Sequence, residues 1–394
     1  MKPLLTLKDA QKRLIAMARP LPSETVPVGE ALGRYLAEDI IAKRNQPAAD
    51  MSAMDGYAIR FEDRDGPWQL IGECKAGSRP CPPITAGQAA RIFTGALMPD
   101  GTDTVVMQEN VKRDGDMIHL TSEPSPARGR HVRHQGGDFK AGDIALESGT
   151  YLKPAALGHA VIAGLGSVSV GQCPKVAILS TGDELVEPGA DTKPHQIPAS
   201  NDVMIAAMLA ELPAQSRSIN RIKDDMESLC AALESAKDCD IIVTIGGASV
   251  GDHDLVAPAF KRLGGETDFW KIAMKPGKPL MAGKLGSSLV LALPGNPGSA
   301  FVTATLFLLP LIRYLAGAKN HMPVMHMANT STALPATTQR AEFLRAQVDG
   351  QHITAFDSQD SAKLSVLAAA NALLFRPAHS PEQPIGSVVS YIAV

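Results

Sequence analysis

Apolar positions along the chain follow two patterns: recurrence at helical spacing, and short wholly apolar runs bounded by glycine and proline. Near the start, Thr6-Leu7-Lys8-Asp9 has the form of a capping box with Asp in place of Glu. Ala10, Leu14, Ile15, Met17 and Ala18 follow on one helical face, and Arg19-Pro20-Leu21-Pro22 ends that helix. Val28 to Leu36 reads as a second helix. Between 57 and 148 the period changes. Trp68-Gln69-Leu70-Ile71, Ala90-Arg91-Ile92-Phe93, Thr104-Val105-Val106-Met107 and Met117-Ile118-His119-Leu120 stand between Gly, Pro and Asp, which predicts a small all-β unit. A helix through Ala155, Leu157, Ala160 and Val161 comes next, so the β unit reads as an insertion into a partly helical N-terminal domain.

From Lys175 the chain alternates again. Val176–Ser180, Ile241–Ile245 and Leu289–Leu293 are strands with a fully buried pattern, and Ile219–Ile222 is a shorter one. Helices are predicted over Asn201–Leu212, carrying Val203, Ile205, Ala206 and Leu209, over Met226–Ala236, over 254–263, and from near Gly298. Strands alternating with helices imply a mostly parallel sheet in a three-layer α/β domain. In the tail, Glu342–Val348 and Ser387–Ile392 read as strands of a small β-barrel-like domain. The expected fold is multi-domain α/β. An N-terminal linker or dimerisation domain spans 1–45 and 140–172, and the inserted β domain 46–139. The central α/β domain covers 173–320 and the C-terminal β domain 321–394.

Composition narrows the function. A length of 394 residues suits several domains, and a net charge of −3 argues against general nucleic-acid binding. The five cysteines match no zinc spacing, and Cys230 and Cys239 read as small buried hydrophobes. The N-terminus has no signal-peptide core. The longest apolar stretch, Ala300 to Ile312, reads as broken by Pro310 and too short for a bilayer, so a cytoplasmic protein without a membrane partner is expected.

The chemistry concentrates after the buried strands. Three loops follow them: Ser180-Thr181-Gly182-Asp183-Glu184-Leu185, then Gly246-Gly247-Ala248-Ser249-Val250-Gly251-Asp252-His253-Asp254, then Pro294-Gly295-Asn296-Pro297-Gly298-Ser299. Glycines let a backbone approach phosphate, and the following helices offer free N–H groups to an anion. Asp183, Glu184, Asp252 and Asp254 would repel a phosphate unless a cation lay between, and Mg2+ is the usual one. Any single Asp could instead cap a helix. Lys271, Lys275 and Lys278, on a segment stiffened by Pro276 and Pro279, suit an oxyanion, although a solvated charged turn would look similar. Gly247-Ala248-Ser249-Val250-Gly251 also fits the nucleophile elbow of a serine hydrolase. Against it, His321, His326, His352 and His379 lie in or near the β-rich tail, and no HGGG-like oxyanion segment exists. His131 and His134 read as surface residues.

Taken together, Ser52-Ala53-Met54-Asp55-Gly56-Tyr57-Ala58, Phe93-Thr94-Gly95-Ala96, the three loops, Lys275-Pro276-Gly277-Lys278-Pro279 and Leu293-Pro294-Gly295-Asn296-Pro297 resemble molybdopterin molybdenumtransferases, which are related to the C-terminal domain of gephyrin. The resemblance implies a homodimeric enzyme of molybdenum cofactor biosynthesis. It would take adenylylated molybdopterin and molybdate, cleave the phosphoanhydride with Mg2+ and release AMP. Each site would lie between one subunit's central domain and the other's N-terminal β domain. A molybdopterin adenylyltransferase and recipient molybdoenzymes or their chaperones would be its partners. The related readings are a non-catalytic scaffold and the adenylyltransferase itself.

By the same resemblance, Glu184, Asp224, Asp254 and Asp138 are metal candidates, and Glu184, Asp254, Asp55, Lys275 and Lys271 catalytic ones. Thr94, Gly182, Asp183, Gly246, Gly247, Ser249, Gly251, Lys278, Pro294, Gly295, Asn296 and Pro297 would bind the substrate, and Arg345 and Ser365 would help admit molybdate.

Overall fold

The computed structural model describes residues 4–79, 81–121, 126–246 and 255–394. Helix α1 (Leu7–Met17) opens as its capping box predicts: Thr6 accepts from the Asp9 amide at 3.2 Å while its hydroxyl donates to the Asp9 carboxylate at 2.7 Å. The helix predicted over Val28 to Leu36 is only a short 3-10 turn, Val28–Glu30. Gly29 offers no helix-forming side chain, and Gly33, at φ +76, turns the chain out of helical space.

A six-stranded sheet follows, built from β1 (Gly56–Ile59), β2 (Trp68–Cys74), β3 (Gln88–Ile92), β4 (Thr104–Met107), β5 (Val111–Asp114) and β6 (Met117–Leu120), in the order β4-β1-β3-β2-β6-β5. Its two faces bury separate apolar clusters, one around Ala58, Ile92 and Val105, the other around Ile59, Trp68 and Ile118. Helix α2 (Pro154–Ile162) packs in another cluster with Val28, Leu36, Ile40, Val168 and Val170, so segments on both sides of the sheet share one core.

The next sheet is six-stranded: β7 (Lys175–Thr181), β8 (Gln215–Ile222), β9 (Ile241–Ile245), β10 (Glu266–Trp270), β12 (Met281–Leu285) and β13 (Ser288–Leu293). A short strand between, β11 (Met274–Lys275), belongs elsewhere. The order is β8-β7-β9-β13-β12-β10, with the first four parallel and the last two antiparallel. Helix α3 (Ser200–Ala210) covers one face with Ile205 and Leu209 against Val176 and Ile178. Helices α4 (Met226–Ser235) and α5 (Val256–Arg262) cover the other, with Cys230 and Cys239 buried there.

Pro310 does not break the last helix. Helix α6 (Pro297–Leu315) runs straight through it, because the turn Ala304–Leu308 widens to π geometry just upstream and accommodates a residue with no N–H. At 19 residues α6 is long and apolar enough to cross a membrane, yet 78% of its apolar window is buried inside the protein. The expectation of a broken, short stretch is thus corrected, and burial is what identifies a core helix.

In the tail, β14 (His326–Thr330), β15 (Ala341–Asp349), β16 (His352–Ala355), β17 (Ala372–Arg376) and β18 (Val388–Ala393) close a small barrel, β15-β16-β14-β18-β17 and back to β15. Helix α7 (Leu364–Ala369) lies beside it. Strand β11 adds to β15, tying the lysine segment to the barrel. Of the cysteines, Cys74 and Cys81 form a disulfide, and Cys173, Cys230 and Cys239 are free.

Candidate active site

Strands β7, β9 and β13 are neighbours in parallel register, so Ser180, Ile245 and Leu293 end side by side. The loops that follow converge. The Gly246 amide donates to the Leu293 carbonyl at 3.3 Å, and a side chain on Gly246 would begin 3.0 Å from the Thr181 carbonyl. At the third loop Asn201, at the start of α3, donates to the Gly295 carbonyl at 2.6 Å. Gly182, Asp183, Glu184, Gly246, Pro294, Gly295, Asn296 and Pro297 therefore share one sheet edge. Gly247, Ser249, Gly251 and Asp254, with Asp252 and His253, lie outside the described residues, and so does the hydrolase elbow.

Asp224 joins this edge from β8. Its amide donates to Asp183 at 3.3 Å, and its carboxyl pKa is raised, mainly by burial; the backbone hydrogen bond with Asp183 opposes the rise and the charges of Asp183 and Glu184 add to it. The adjacent Asp225 plays a different part. It caps α4, accepting from the Ser228 amide at 2.8 Å. The two acids look alike in sequence.

The lysine segment folds back on itself, with the Ile272 amide donating to the Lys278 carbonyl at 2.9 Å and the Lys271 amide to Leu280 at 3.2 Å. Lys271 holds φ +77, a left-handed conformation that a long side chain adopts only under constraint. Lys275 lies 3.7 Å from Glu342 on β15, and Glu342 sits opposite Arg376.

The barrel reaches the same edge. Ser361 accepts from the Gly298 amide at 2.8 Å, and the Asn296 side chain donates to its hydroxyl at 3.3 Å. Gly298 is obligatory there, since a Cβ would stand 2.9 Å from the Ser361 carbonyl. Gln359 clamps the Arg345 backbone at both its N–H (2.9 Å) and its carbonyl (3.0 Å). Arg345 is 1% exposed, and its guanidinium has no hydrogen-bond partner among the described residues. Burial pulls its pKa down, opposed by the charge of Asp360. A buried guanidinium without a partner is costly and calls for an anion. Ser365 is exposed in the first turn of α7. Ser361 and Gln359 were missed in the sequence because a loop has no periodicity to reveal contacts.

Asp55 and Thr94 form a separate pair on the first sheet. Asp55 accepts from the Thr94 amide and hydroxyl, both at 2.8 Å, and these bonds hold its carboxyl below the usual range. The next residue must be glycine, because a Cβ on Gly56 would meet the Val106 carbonyl at 2.0 Å. Asp138 lines a cavity of about 480 Å³ with Arg133 and His134. Among the described residues, no hydrogen bond or ion pair joins Asp55, Thr94 or Asp138 to Glu184 or Asp224. Of the metal set predicted from Glu184, Asp224, Asp254 and Asp138, Asp138 stands in the N-terminal part, as expected for a residue that would serve the central edge of a partner subunit, and Asp254 lies outside the described residues.

With this geometry in view, the chain was compared with known proteins. Family models described as the MoeA N-terminal region (domain I and II), a probable molybdopterin binding domain and the MoeA C-terminal region (domain IV) match residues 5–166, 177–314 and 327–394. A molybdopterin molybdenumtransferase of Haemophilus influenzae is 36% identical over 87% of this chain and 85% of its own. One from Nostoc sp. is 34% identical over 95% and 90%. The crystal structure of a molybdopterin biosynthesis moeA protein from Pyrococcus horikoshii OT3 superimposes with a TM-score of 0.86 at 30% identity, covering 100% of both chains. The chain belongs to the molybdopterin molybdenumtransferase family.

The middle matched region, 177–314, contains the converging loops, Asp224 and all three lysines. A cavity of about 850 Å³ lies elsewhere, lined by Tyr35, Met208, Arg313 and Val394 among others, and gathers none of the predicted site residues. Among the described residues, no group of three or more His, Cys, Asp or Glu is arranged to hold a metal. Glu184 and Asp224 are nonetheless hard oxygen donors whose charges oppose each other. That suits Mg2+, which takes one or two carboxylates together with phosphate oxygens and water.

Proposed function

We propose that this chain inserts molybdenum into molybdopterin, with adenylylated molybdopterin and molybdate as substrates and AMP as a product. The observation that carries the reading is the meeting of mutually repelling carboxylates and backbone-offering loops at one sheet edge. Glu184 and Asp224, with Asp254, would hold Mg2+. When bound, Mg2+ would withdraw charge from the phosphoanhydride. Lys271, Lys275 and Lys278 would bind the phosphates and stabilise charge on the leaving AMP. Water or a molybdate oxygen would supply the attacking atom and the P–O bond to AMP would break, so no side-chain nucleophile is needed. Arg345 would receive the molybdate dianion. The neighbouring Ser361 and Ser365 would offer hydroxyls beside it.

Asp55, Thr94 and Asp138 enter the same reading through a homodimer, in which one subunit's first sheet faces its partner's central edge. The cytoplasm is the proposed location. Recipient molybdoenzymes or their chaperones would take the product.

The test is AMP release from adenylylated molybdopterin with Mg2+ and molybdate. Wild type should release AMP only with both present, and Glu184→Ala and Asp254→Ala should fail while folded. Binding without release would make the chain a scaffold relative. Mixing Asp55→Ala with Glu184→Ala subunits should restore part of the activity if sites are shared across the dimer. No restoration would overturn the shared site.

A further inference from the structure

Helix α3 begins at the same edge without a side-chain cap from Ala199, and among the described residues no side chain takes up its first-turn N–H groups. In the first turn of α3 and at the end of β7 stand three buried polar atoms with no hydrogen-bond partner among the described residues: Asn201 Oδ1, Asp202 Oδ1 and Ser180 Oγ. Ser180 is 2% exposed and Asp202 4%. They belong together. Asp202 shares the inward stripe of α3 with Ile205 and Leu209, which pack on Val176 and Ile178, and Ser180 is the next residue on that face of β7. Asn201 is anchored by its amide nitrogen on Gly295, which leaves its oxygen as a free acceptor.

A buried carboxylate oxygen and a buried amide oxygen without donors are costly unless a ligand supplies N–H groups. A bare cation could also satisfy oxygens, but the positive end of α3 and its uncapped amides oppose one. The pattern here is N–H donors of the backbone next to side-chain acceptors. Its complement is a ring edge with a carbonyl beside N–H and NH2, which is the 2-amino-4-oxopyrimidine edge of a pterin. Resting on the proposed function above, we infer that Asp202, Asn201 and Ser180 at the start of α3 form the subsite that recognises the pterin ring, the carboxylate of Asp202 taking the 2-amino and ring N–H donors. The lysine segment and the glycine loops would then hold the phosphates.

The experiment compares two ring probes on the full-length protein: 6-hydroxymethylpterin, and 6-hydroxymethyllumazine, which carries oxygen where the pterin has its 2-amino group. Binding is read by the intrinsic fluorescence of the rings, so it answers even if wild type releases no AMP. Wild type should prefer the pterin by about tenfold or more, because a site built around a hydrogen bond rejects the analogue that lacks it. Asp202→Asn should shrink that preference to about threefold or less. For adenylylated molybdopterin it should raise KM about tenfold with kcat little changed, and leave competition by AMP as it was. The inference is overturned if wild type does not distinguish the rings. It is overturned equally if Asp202→Asn keeps the preference, or if the variant changes only the Mg2+ requirement, the mark of a cation site. Should Asp202→Asn fail to fold by thermal melting, Ser180→Ala carries the test, with about a threefold loss of pterin binding expected and no loss overturning the subsite.

Discussion

Asp224 and Asp55 are both acids in candidate site loops, and their surroundings treat them oppositely. Asp224 stands partly desolvated near Asp183 and Glu184, so its charged form is disfavoured. Asp55 accepts two hydrogen bonds from Thr94, so its charged form is favoured and its orientation fixed. In the proposed function a cation completes the first arrangement. The second has its hydrogen bonds already and suits an acid that must point in one direction. The contrast gives the two acids different proposed roles, binding for Asp224 and positioning for Asp55, where residue identity could not.

The largest expected effect tests the incomplete side. Asp224→Asn should lower AMP release by about 100-fold or more, since the charge that a cation would meet is lost. In the absence of metal the same variant should be no less stable. The sign follows from the raised pKa. The folded protein binds this proton more tightly than the unfolded chain, so protonated Asp224 favours the fold at low pH. That contribution fades as pH rises through the raised value. Added Mg2+ should therefore raise the melting temperature of wild type at pH 7, and the gain should shrink on acidification while Asp224→Asn shows little gain at any pH. Equal gains in both proteins would remove Asp224 from the metal site.

Arg345 gives the next effect and a sharper contrast, because stability and activity should move apart. Its guanidinium is buried with no hydrogen-bond partner among the described residues. Arg345→Met keeps length and apolar bulk while removing the charge, so thermal stability should hold or rise. The KM for molybdate should rise about tenfold or more as the anion loses its cation. A variant that melts earlier with an unchanged molybdate KM would make Arg345 a structural residue.

These residues also mark where the sequence could be read and where it could not. Val176–Ser180, Ile241–Ile245 and Leu289–Leu293 were legible because strands buried on both faces leave few polar positions. The loops after them were legible because glycine and carboxylate together are unusual at strand ends. Val28 to Leu36 misled because its apolar positions fit a helix while Gly29 and Gly33 do not. The barrel was half visible: β14, β16 and β17 are four or five residues long, too short to display a period. On α3 the pattern pointed to Val203, yet Val203 is 55% exposed and Asp202 is buried. A hydrophobicity pattern assigns acids to solvent, so it hides a buried one such as Asp202. Nor can spacing reveal that Ser361 docks on Asn296, because the two are brought together only by the barrel's packing.

The smallest expected effect lies on the complete side. Thr94→Ala removes one of the two bonds to Asp55 and keeps the other, since the donated amide is backbone. The amide is also the larger cause of the lowered pKa, so the Asp55 pKa should climb only part of the way to its ordinary value. The stabilising contribution of Asp55 is present above the unfolded carboxylate range near about 4 and is lost as pH falls through the folded value. In Thr94→Ala that loss should start at higher pH, which NMR titration of the Asp55 carboxyl would show. Activity should fall about three- to tenfold, the usual consequence of losing one hydrogen bond that orients a charged group. Thr94→Ser restores the hydroxyl without the methyl and should recover both the pKa and the rate. If Thr94→Ser behaves like Thr94→Ala, the methyl packing rather than the hydrogen bond orients Asp55, and the contrast with Asp224 loses its physical basis.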